Sequence, residues 1–279
     1  MNKKKNIFTK IKSVHKNEGF KGINKRLKMK AQTIKQLGLS GITDRIKGKI
    51  IELKEGKYSL KYAYPKRFFV DNLNDSRPMA EYLAPKITKA LNIKSVIDLG
   101  CATGHWVNVF ERQGVDIVGV EGGENAKSML VCSPEKVIFA DLREPLKLKR
   151  EFDMAMSIEV AEHIEHKFVH EYIKNMTKFS PKLIMMTAAV PGQGGEFHVN
   201  EQNADYWNDI LGKYEYKRVD SVERLIAKFV QEAKDEKNPP EIMKNHIYKH
   251  EGVYIPYWMP KNLLVYSKSP EQFDYLKNN

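Results

Sequence analysis

From residue 95 onward, short apolar runs alternate with amphipathic segments. An apolar run of about five residues fits a strand that is buried on both faces, and the segments between the runs fit helices. This alternation predicts a parallel sheet covered by helices on both faces. The predicted strands are Ser95–Leu99, Asp116–Val120, Val137–Ala140, Met154–Ile158 and Leu183–Thr187, and the predicted helices are Arg77–Leu91, His105–Gln113 and His166–Phe179.

The tail extends the same pattern. It adds two predicted strands with a helix between them, at Lys217–Asp220, Val222–Lys234 and Asn262–Tyr266. The expected fold class is therefore α/β, with a doubly wound, mostly parallel, seven-stranded sheet. We assign this domain to residues 75–279. Residues 1–74 are predicted to form a basic N-terminal extension of short helices, with a hairpin within Ile50–Tyr64.

The segment VIDLGCATG, residues 96–104, combines the end of a strand, an acid and a glycine turn that opens a helix. Glycine lets the backbone approach a ligand, because no Cβ stands in the way. The helix N-terminus beyond it favours negative charge. A dinucleotide site would show Gly-x-Gly-x-x-Gly. Here the spacing is Gly-x-x-x-Gly, and Asp98 is placed to meet an amine or hydroxyl donor.

Acids also follow the next two predicted strands. Glu121 follows the second run, where a carboxylate can bridge the two hydroxyls of a ribose. Asp141 follows the third run, where it can accept a hydrogen bond from an adenine amino group while Leu142 packs on the ring. The order acid, apolar residue, Gly, three residues, Gly resembles motif I of class I S-adenosylmethionine (SAM) methyltransferases. The residues expected at the cofactor are Asp98, Gly100, Cys101, Ala102, Thr103, Gly104, Trp106, Glu121, Gly122, Asp141, Leu142 and Glu159.

After the fourth run, the segment SIEVAEHI spaces Glu159, Glu162 and His163 so that one helical turn would place them on a common face. With His198, from the glycine-rich loop after the fifth run, they are the expected ligands of a divalent cation such as Mg²⁺ or Mn²⁺. His198 is also the first candidate for a catalytic base, with Glu162 and His163 as ligands or orienting groups. The alternative is that these are polar residues of a helix surface and that the glycines only turn the chain.

The segment EVAEH resembles the E-x-x-E-H segment of the O-methyltransferases of ubiquinone biosynthesis and of the small-RNA 3′-terminal 2′-O-methyltransferases, where it contributes to a divalent-metal site. A closer resemblance covers residues 95–268. There VIDLGCATG, SIEVAEHI, AAVPGQGGEFHVNEQNADYW and WMPKNLLVYSK are similar to a bacterial and viral group of methyltransferases taken to modify sugars or glycans. This resemblance implies a Rossmann-like fold, SAM as methyl donor and O-methylation.

The net charge of +12 is concentrated at one end of the chain. Residues 1–67 hold 20 Lys and Arg against 4 Asp and Glu, which leaves 27 against 31 for the remainder. Such a segment can bind phosphate groups, nucleic acid or an anionic membrane surface, or it can simply be solvated. No run is long and apolar enough to span a membrane. The two cysteines do not form a CxxC pair, so we expect a cytoplasmic protein that can be peripheral at the membrane surface.

These features favour a SAM-dependent O-methyltransferase that acts on a sugar, glycan or glycolipid acceptor. One alternative is an RNA 2′-O-methyltransferase that uses the basic segment to hold the phosphate backbone. Another is a SAM-binding subunit without catalysis. Tyr206 and Trp207 are candidates for an aromatic acceptor platform, with core packing of a helix as the competing interpretation.

Overall fold

The computed structural model describes residues 64–179, 181–235 and 258–277. The chain divides into two compact units, Met1–Tyr62 and Ala63–Asn279, and the described residues belong to the second. The hairpin predicted within Ile50–Tyr64, apart from its last residue, and the predicted role of the basic segment lie outside the described residues.

The second unit alternates strands and helices from its first strand onward. Its helices are α1 (Lys66–Leu91), α2 (His105–Arg112), α3 (Val169–Thr177), α4 (Ala204–Gly212), α5 (Asp220–Asp235) and α6 (Trp258–Asn262). Its strands are β1 (Ser95–Leu99), β2 (Asp116–Glu121), β3 (Val137–Phe139), β4 (Met154–Ser157), β5 (Leu183–Thr187), β6 (Lys217–Arg218) and β7 (Leu263–Ser267). Short 3₁₀ turns lie at Glu124–Met129, Pro134–Lys136, Ala161–His163, His166–Phe168 and Pro270–Leu276.

The strands form one seven-stranded sheet in the order β3-β2-β1-β4-β5-β7-β6. Strands β1 to β5 pair in parallel, and β7 is antiparallel to both of its neighbours. The predicted α/β, mostly parallel, seven-stranded sheet is therefore confirmed. The strand order reverses between β1 and β4, and in such sheets ligands bind at this point, beyond the carboxyl ends of the strands.

Side chains from alternate positions of each strand fill two separate cores. In β1, Val96 packs with α1, α2 and α5 on one face, whereas Ile97 packs with α3 and α4 on the other. Both side chains are fully buried. Burial on two faces explains why the strands are near-continuous apolar runs, and these runs are the pattern from which the strands were predicted.

Helix α1 begins eleven residues before the predicted start at Arg77, and it runs through the predicted domain boundary at residue 75. The polar residues just before Arg77 favour a helix start there, but Phe69 is almost fully buried and anchors the earlier turns. Its ring lies so close to Gly123 that a Cβ on that glycine would be 2.7 Å from Phe69 Cζ. The compact unit therefore begins at Ala63. Among the described residues, no helix combines the length and apolarity that crossing a membrane requires.

Candidate active site

The loop between β1 and α2 is shaped by residues in the left-handed region of backbone conformation. Gly100 has φ 90° and Gly104 has φ 81°. A Cβ on Gly100 would lie 2.4 Å from Val160 Cγ2, and one on Gly104 would lie 2.4 Å from Cys132 Sγ. Neither glycine tolerates a side chain in this structure, because both the backbone conformation and the space require glycine. The contact with Val160 also joins this loop to the segment that follows β4.

Glu121, at the end of β2, ties the same loop to the sheet. Its carboxylate accepts hydrogen bonds from the backbone N–H of Ala102, at 2.8 Å, and of Gly123, at 2.5 Å. Burial raises the pKa of Glu121, and the backbone donors partly oppose this effect. The structure therefore gives Glu121 a role in shaping the loop, and its predicted contact with a ribose stays a prediction.

Asp98 is a buried carboxyl, 2% exposed, at the penultimate position of β1. Burial, and then repulsion from the Glu121 carboxylate, raise the pKa of Asp98 to about 8. The two acids create a site where a cationic or hydrogen-bond-donating ligand group would be favoured, because either one stabilises the ionised carboxylate.

Three further side chains that the sequence analysis assigned to the cofactor lie inside the protein. Cys101, Thr103 and Trp106 are each at most 6% exposed. The ring of Trp106 stacks on Phe110 in the core between α1, α2 and the sheet. Trp106 therefore serves first as a core residue, and its contact with a cofactor stays a prediction. Cys101 is a free, buried cysteine, and burial raises the pKa of its thiol.

A buried arginine that the sequence analysis missed holds Asp141 in place. Arg143, 6% exposed, binds the Asp141 carboxylate through Nε and Nη2, both at 3.0 Å. Its Nη1 binds Glu165 Oε2 at 3.1 Å. Leu142, which was expected to pack on the adenine ring, is buried in the core that α3 and α4 form with the sheet. The basic residue two positions after Asp141 is visible in the sequence, but its pairing with Glu165 depends on the fold.

Three of the four predicted metal ligands lie together. Glu162 and His163 are in the 3₁₀ turn Ala161–His163 after β4, and His198 comes from the loop after β5. One ligand atom from each residue lies within 4.8 Å of the others. The Nε2 of His198 is 3.9 Å from Glu162 Oε1, and the two imidazole rings are 5.0 Å apart at their centroids. We refer to Glu162, His163 and His198 as the donor group.

The donor group holds buried polar atoms that have no hydrogen-bond partner among the described residues. Both carboxylate oxygens of Glu162 and the Nδ1 of His163 are in this position. Burial and the neighbouring Glu159 carboxylate raise the pKa of Glu162 well above its ordinary value. Burial and the nearby His198 lower the pKa of His163 to about 3. Buried polar atoms without a hydrogen-bond partner are rare in proteins, and strain, a catalytic role, a water or an ion can account for them.

Glu159 is placed differently from the sequence prediction. It does not share a helical face with Glu162 and His163, because its φ of 53° is left-handed and the helical turn begins only at Ala161. Its carboxylate accepts a hydrogen bond from Asn262 Nδ2 at 3.1 Å. Glu159 thus lies beside Glu162 but outside the donor group, and its assignments to the metal and to the cofactor stay predictions.

Aromatic rings surround His163 on the side of helix α1. The ring centroids of Tyr64 and Phe68 lie 5.8 and 6.0 Å from that of His163 and 4.9 Å from each other. The ring of Phe197 lies 5.5 Å from Tyr64 and 5.7 Å from Phe68. Phe197 has a φ of 65°, which is rare for a bulky residue and is found mainly at functional sites. We call Tyr64, Phe68 and Phe197 the aromatic collar. All three rings are partly exposed.

The aromatic platform suggested by the sequence is only partly available. Trp207 is fully buried in the core, which corrects its assignment as an acceptor platform. Tyr206 is partly exposed, and its hydroxyl lies 2.8 Å from the Nδ1 of the exposed His166. The aromatic collar was missed, because Tyr64 and Phe68 precede the recognisable pattern and approach Phe197 only through the fold.

Three solved methyltransferase structures are similar to about half of this chain. The methyltransferase domain of bacterial CtHen1-CN is 21% identical, with 51% of this chain and 87% of that chain covered and a TM-score of 0.41. Magnesium protoporphyrin IX methyltransferase (ChlM) from Synechocystis PCC 6803, solved with bound SAM, is 14% identical, with 51% and 70% covered and a TM-score of 0.42. Small RNA methyltransferase HEN1 is 18% identical, with 52% and 22% covered and a TM-score of 0.40.

No curated protein matches the sequence. Residues 72–230, more than half of the chain, match the protein family described as "Methyltransferase domain". This range contains the loop between β1 and α2, Asp141 and the complete donor group. The match confirms the predicted class I SAM-dependent methyltransferase at the level of the family. The chain therefore belongs to the methyltransferase domain family.

Proposed function

We propose that this protein is a SAM-dependent O-methyltransferase that methylates a hydroxyl of a sugar, glycan or glycolipid with the help of a divalent cation. The observation that carries the proposal is the donor group, with its buried Glu162, beside the loop between β1 and α2, which we call the cofactor loop. Val160, which packs on Gly100, is two residues from Glu162. A hydroxyl held at the donor group would therefore face the same cleft as the methyl donor.

The cofactor is expected beyond the carboxyl ends of β1 and β2, where Asp98, Glu121 and Asp141 lie. The oxygens of Glu121 keep lone pairs that can accept from ribose hydroxyls, although they already accept from the backbone. Asp98 can accept from a donor or cationic group of SAM, and this contact would return its pKa toward the ordinary range. Asp141, held by Arg143, is expected to accept from the adenine amino group.

The donor group fits a divalent cation on its chemistry. A cation would satisfy the unpartnered oxygens of Glu162 and compensate the cost of burying a carboxylate. One carboxylate and two imidazoles form a mixed oxygen and nitrogen set, which suits Mn²⁺ better than Mg²⁺. Glu159, next to Glu162, offers a further carboxylate. A cation held there would lower the pKa of a bound hydroxyl.

In the proposed reaction, the acceptor oxygen forms a bond to the methyl carbon as the carbon–sulfur bond of SAM breaks. The hydroxyl proton passes to a protein base, and the products are S-adenosylhomocysteine and a methyl ether. His198 Nε2 or one oxygen of Glu162 can take this proton, provided that the same atom is not a ligand of the cation. A positioned base contributes on the order of 10²–10⁴-fold. Alignment of acceptor and methyl group contributes more, up to about 7–11 kcal/mol.

The aromatic collar supports an acceptor with a ring. Tyr64, Phe68 and Phe197 offer apolar ring surface directly beside His163, and ligand pockets combine such surface with a few polar groups that fix orientation. The resemblance of residues 95–268 to glycan-modifying methyltransferases favours a sugar ring. We also propose that residues 1–67 hold an anionic part of the acceptor or an anionic membrane surface, because of their positive charge.

The test is methyl transfer from radiolabelled SAM in the presence of Mn²⁺ or of EDTA. The acceptors are a panel of methyl glycosides, lipid-linked sugars and a short single-stranded RNA with a free 3′ end. Transfer to a sugar that EDTA and Glu162→Gln both abolish would support the proposal. His198→Ala should also lower the transfer, and His170→Ala is its control, because His170 is an exposed histidine outside the donor group.

Other outcomes would replace the proposal. Transfer to RNA alone, with a steep loss of RNA binding as salt is added, would indicate an RNA 2′-O-methyltransferase. Binding of S-adenosylhomocysteine without transfer to any acceptor would favour a SAM-binding subunit. Transfer to a sugar that is unaffected by EDTA would contradict the cation but leave the sugar acceptor in place.

A further inference from the structure

The loop that carries His198 is folded around a single carboxylate. Glu201 Oε2 accepts a hydrogen bond from the backbone N–H of Gly192 at 2.8 Å, and Oε1 accepts one from Gly194 at 2.7 Å. Oε1 also lies 3.0 Å from the Nδ1 of His198. One side chain thus fixes two points of the loop backbone and one imidazole.

This contact decides which nitrogen of His198 faces the donor group. An ionised carboxylate only accepts hydrogen bonds, so the proton of the neutral imidazole belongs on Nδ1. The Nε2 then keeps its lone pair, and it is the Nε2 that points toward Glu162, at 3.9 Å from Oε1. A nitrogen with a free lone pair is what a cation ligand or a proton acceptor requires.

The imidazole is also confined by the backbone. A Cβ on Gly195 would lie 2.2 Å from His198 Nε2. The ring therefore lies directly against the Cα of Gly195 and has Glu201 at its Nδ1 edge. A side chain at position 195 would have to displace the imidazole, because a real Cβ cannot approach another heavy atom so closely.

We propose that Glu201 is a positioning residue that holds His198 in the Nδ1–H tautomer with Nε2 directed into the donor group. The inference rests on the proposed function, in which the donor group binds a cation. Partners of this kind orient metal-binding histidines, and their removal typically weakens metal affinity by about 10–100-fold. Nothing in the spacing of the sequence distinguishes Glu201 from the other acids of the loop region.

The first experiment needs neither cofactor nor cation. Full-length protein labelled with ¹⁵N in histidine is examined by NMR without metal, and the His198 signals are assigned with His198→Ala. The expected result is a single tautomer with the proton on Nδ1. In Glu201→Ala and Glu201→Gln, we expect this preference to be lost. Glu201→Gln keeps the side-chain volume and one acceptor oxygen for the loop amides, so it separates loop folding from the loss of the carboxylate.

The second experiment measures Mn²⁺ affinity by calorimetry, without SAM or acceptor. Glu201→Ala and Gly195→Ala should each bind Mn²⁺ about 10–100-fold more weakly than the wild type. The exposed Glu271→Ala is the control, and it should bind Mn²⁺ normally. Circular dichroism and thermal melting confirm that each variant is folded.

The outcomes separate this inference from the proposed function. A wild-type His198 with its proton on Nε2, or a tautomer unchanged in both Glu201 variants, would overturn the role of Glu201 whatever the metal result. Wild-type protein that binds no Mn²⁺ but shows the Glu201-dependent tautomer would contradict the cation site. It would support Glu201 as the residue that positions His198 as a base.

Discussion

The cofactor loop and the donor group lie side by side, yet they differ in how well their buried polar atoms are satisfied. In the cofactor loop, the Glu121 carboxylate already accepts two backbone hydrogen bonds. In the donor group, both oxygens of Glu162 and the Nδ1 of His163 have no partner among the described residues. The two regions meet where Val160 packs on Gly100.

This difference indicates how each region reaches its working geometry. The cofactor loop is held by the protein itself, so SAM would enter a cleft whose backbone is already arranged. In the donor group, burial raises the pKa of the Glu162 carboxyl, and in the proposed function a cation would offset the cost of burying its ionised form. We therefore expect the two regions to respond differently to the removal of a side chain and to the removal of a cation.

The largest expected effect on ligand binding is the loss of cation binding in Glu162→Gln. At a Mn²⁺ concentration of 100 times its dissociation constant, binding to the folded state should raise the free energy of unfolding of the wild type by about 2.7 kcal/mol. The variant should show no increase, because it lacks the anionic ligand. Urea unfolding with Mn²⁺ and with EDTA measures both values. An equal Mn²⁺ effect in both proteins would remove the contrast between the two regions.

Gly100→Ala tests whether the cofactor loop is arranged in advance. The new Cβ would collide with Val160 in a backbone conformation that alanine rarely adopts. We expect the affinity for S-adenosylhomocysteine to fall by about 100-fold, because about 1–2 kcal/mol of backbone strain and about 1–3 kcal/mol of overpacking would be relieved by displacing the loop. Calorimetric titration measures this affinity. Gly212→Ala is the control, because a Cβ there meets no atom within 4 Å. Normal affinity in Gly100→Ala would show that the loop adapts to its ligand.

Asp98 differs from Glu121 in the cofactor region, because burial raises its pKa to about 8. This raised pKa can be tested by the pH dependence of stability. The folded protein keeps a proton on Asp98 up to a pKa of about 8, whereas the ordinary value is 3.8. Between these values the folded state binds more protons than the unfolded state. Stability should therefore fall as pH rises from about 4 to about 8, by up to about 1.4 kcal/mol per pH unit.

Asp98→Asn should flatten this pH dependence, because the amide does not titrate. Urea unfolding at pH 5, 6, 7 and 8 measures the slope for each protein. Asp209→Asn is the control, since Asp209 is an exposed aspartate. A slope that stays the same in Asp98→Asn would assign the pH dependence to another buried acid, and Glu162 would be the first to examine.

The sequence predicted the sheet well, because strands buried on both faces leave an apolar signal that local pattern analysis detects. It also predicted the residues of the donor group, since Glu162 and His163 are adjacent and His198 lies in a conspicuous glycine-rich loop. The arrangement of these residues in space could not be predicted from their spacing in the sequence. The helical turn expected at Glu159 is absent because that residue adopts a left-handed conformation, which spacing alone does not reveal.

The residues missed share a physical reason. Arg143, Glu201 and Tyr64 act through partners that only the fold brings near, or through backbone groups of a loop whose path the sequence does not show. From residue type alone, Arg143 and Glu201 are interpreted as surface residues and Tyr64 as a core aromatic. The same limit explains Trp207, whose buried position depends on which face of α4 meets the sheet.

The smallest effect that we predict concerns Arg143, and it tests whether the cofactor region is held by side chains as well as by the backbone. Arg143→Met leaves Asp141 without its guanidinium partner, so the carboxylate is no longer fixed toward the cleft. We expect the affinity for S-adenosylhomocysteine to fall about 10-fold, which corresponds to about 1.4 kcal/mol. The analogue S-inosylhomocysteine, which has no adenine amino group, should bind the wild type and the variant almost equally.

That difference between the two ligands separates a positioning role from general destabilisation. If Arg143 only stabilised the fold, both ligands would lose affinity together, and a specific effect on Asp141 would be contradicted. Arg112→Met is the matched control, because Arg112 also pairs with an acid, Glu81, but is about half exposed. Exposed ion pairs contribute at most about 1 kcal/mol to stability. We therefore expect Arg112→Met to bind both ligands normally, which would place the selectivity for adenine in the buried pair of Arg143 and Asp141.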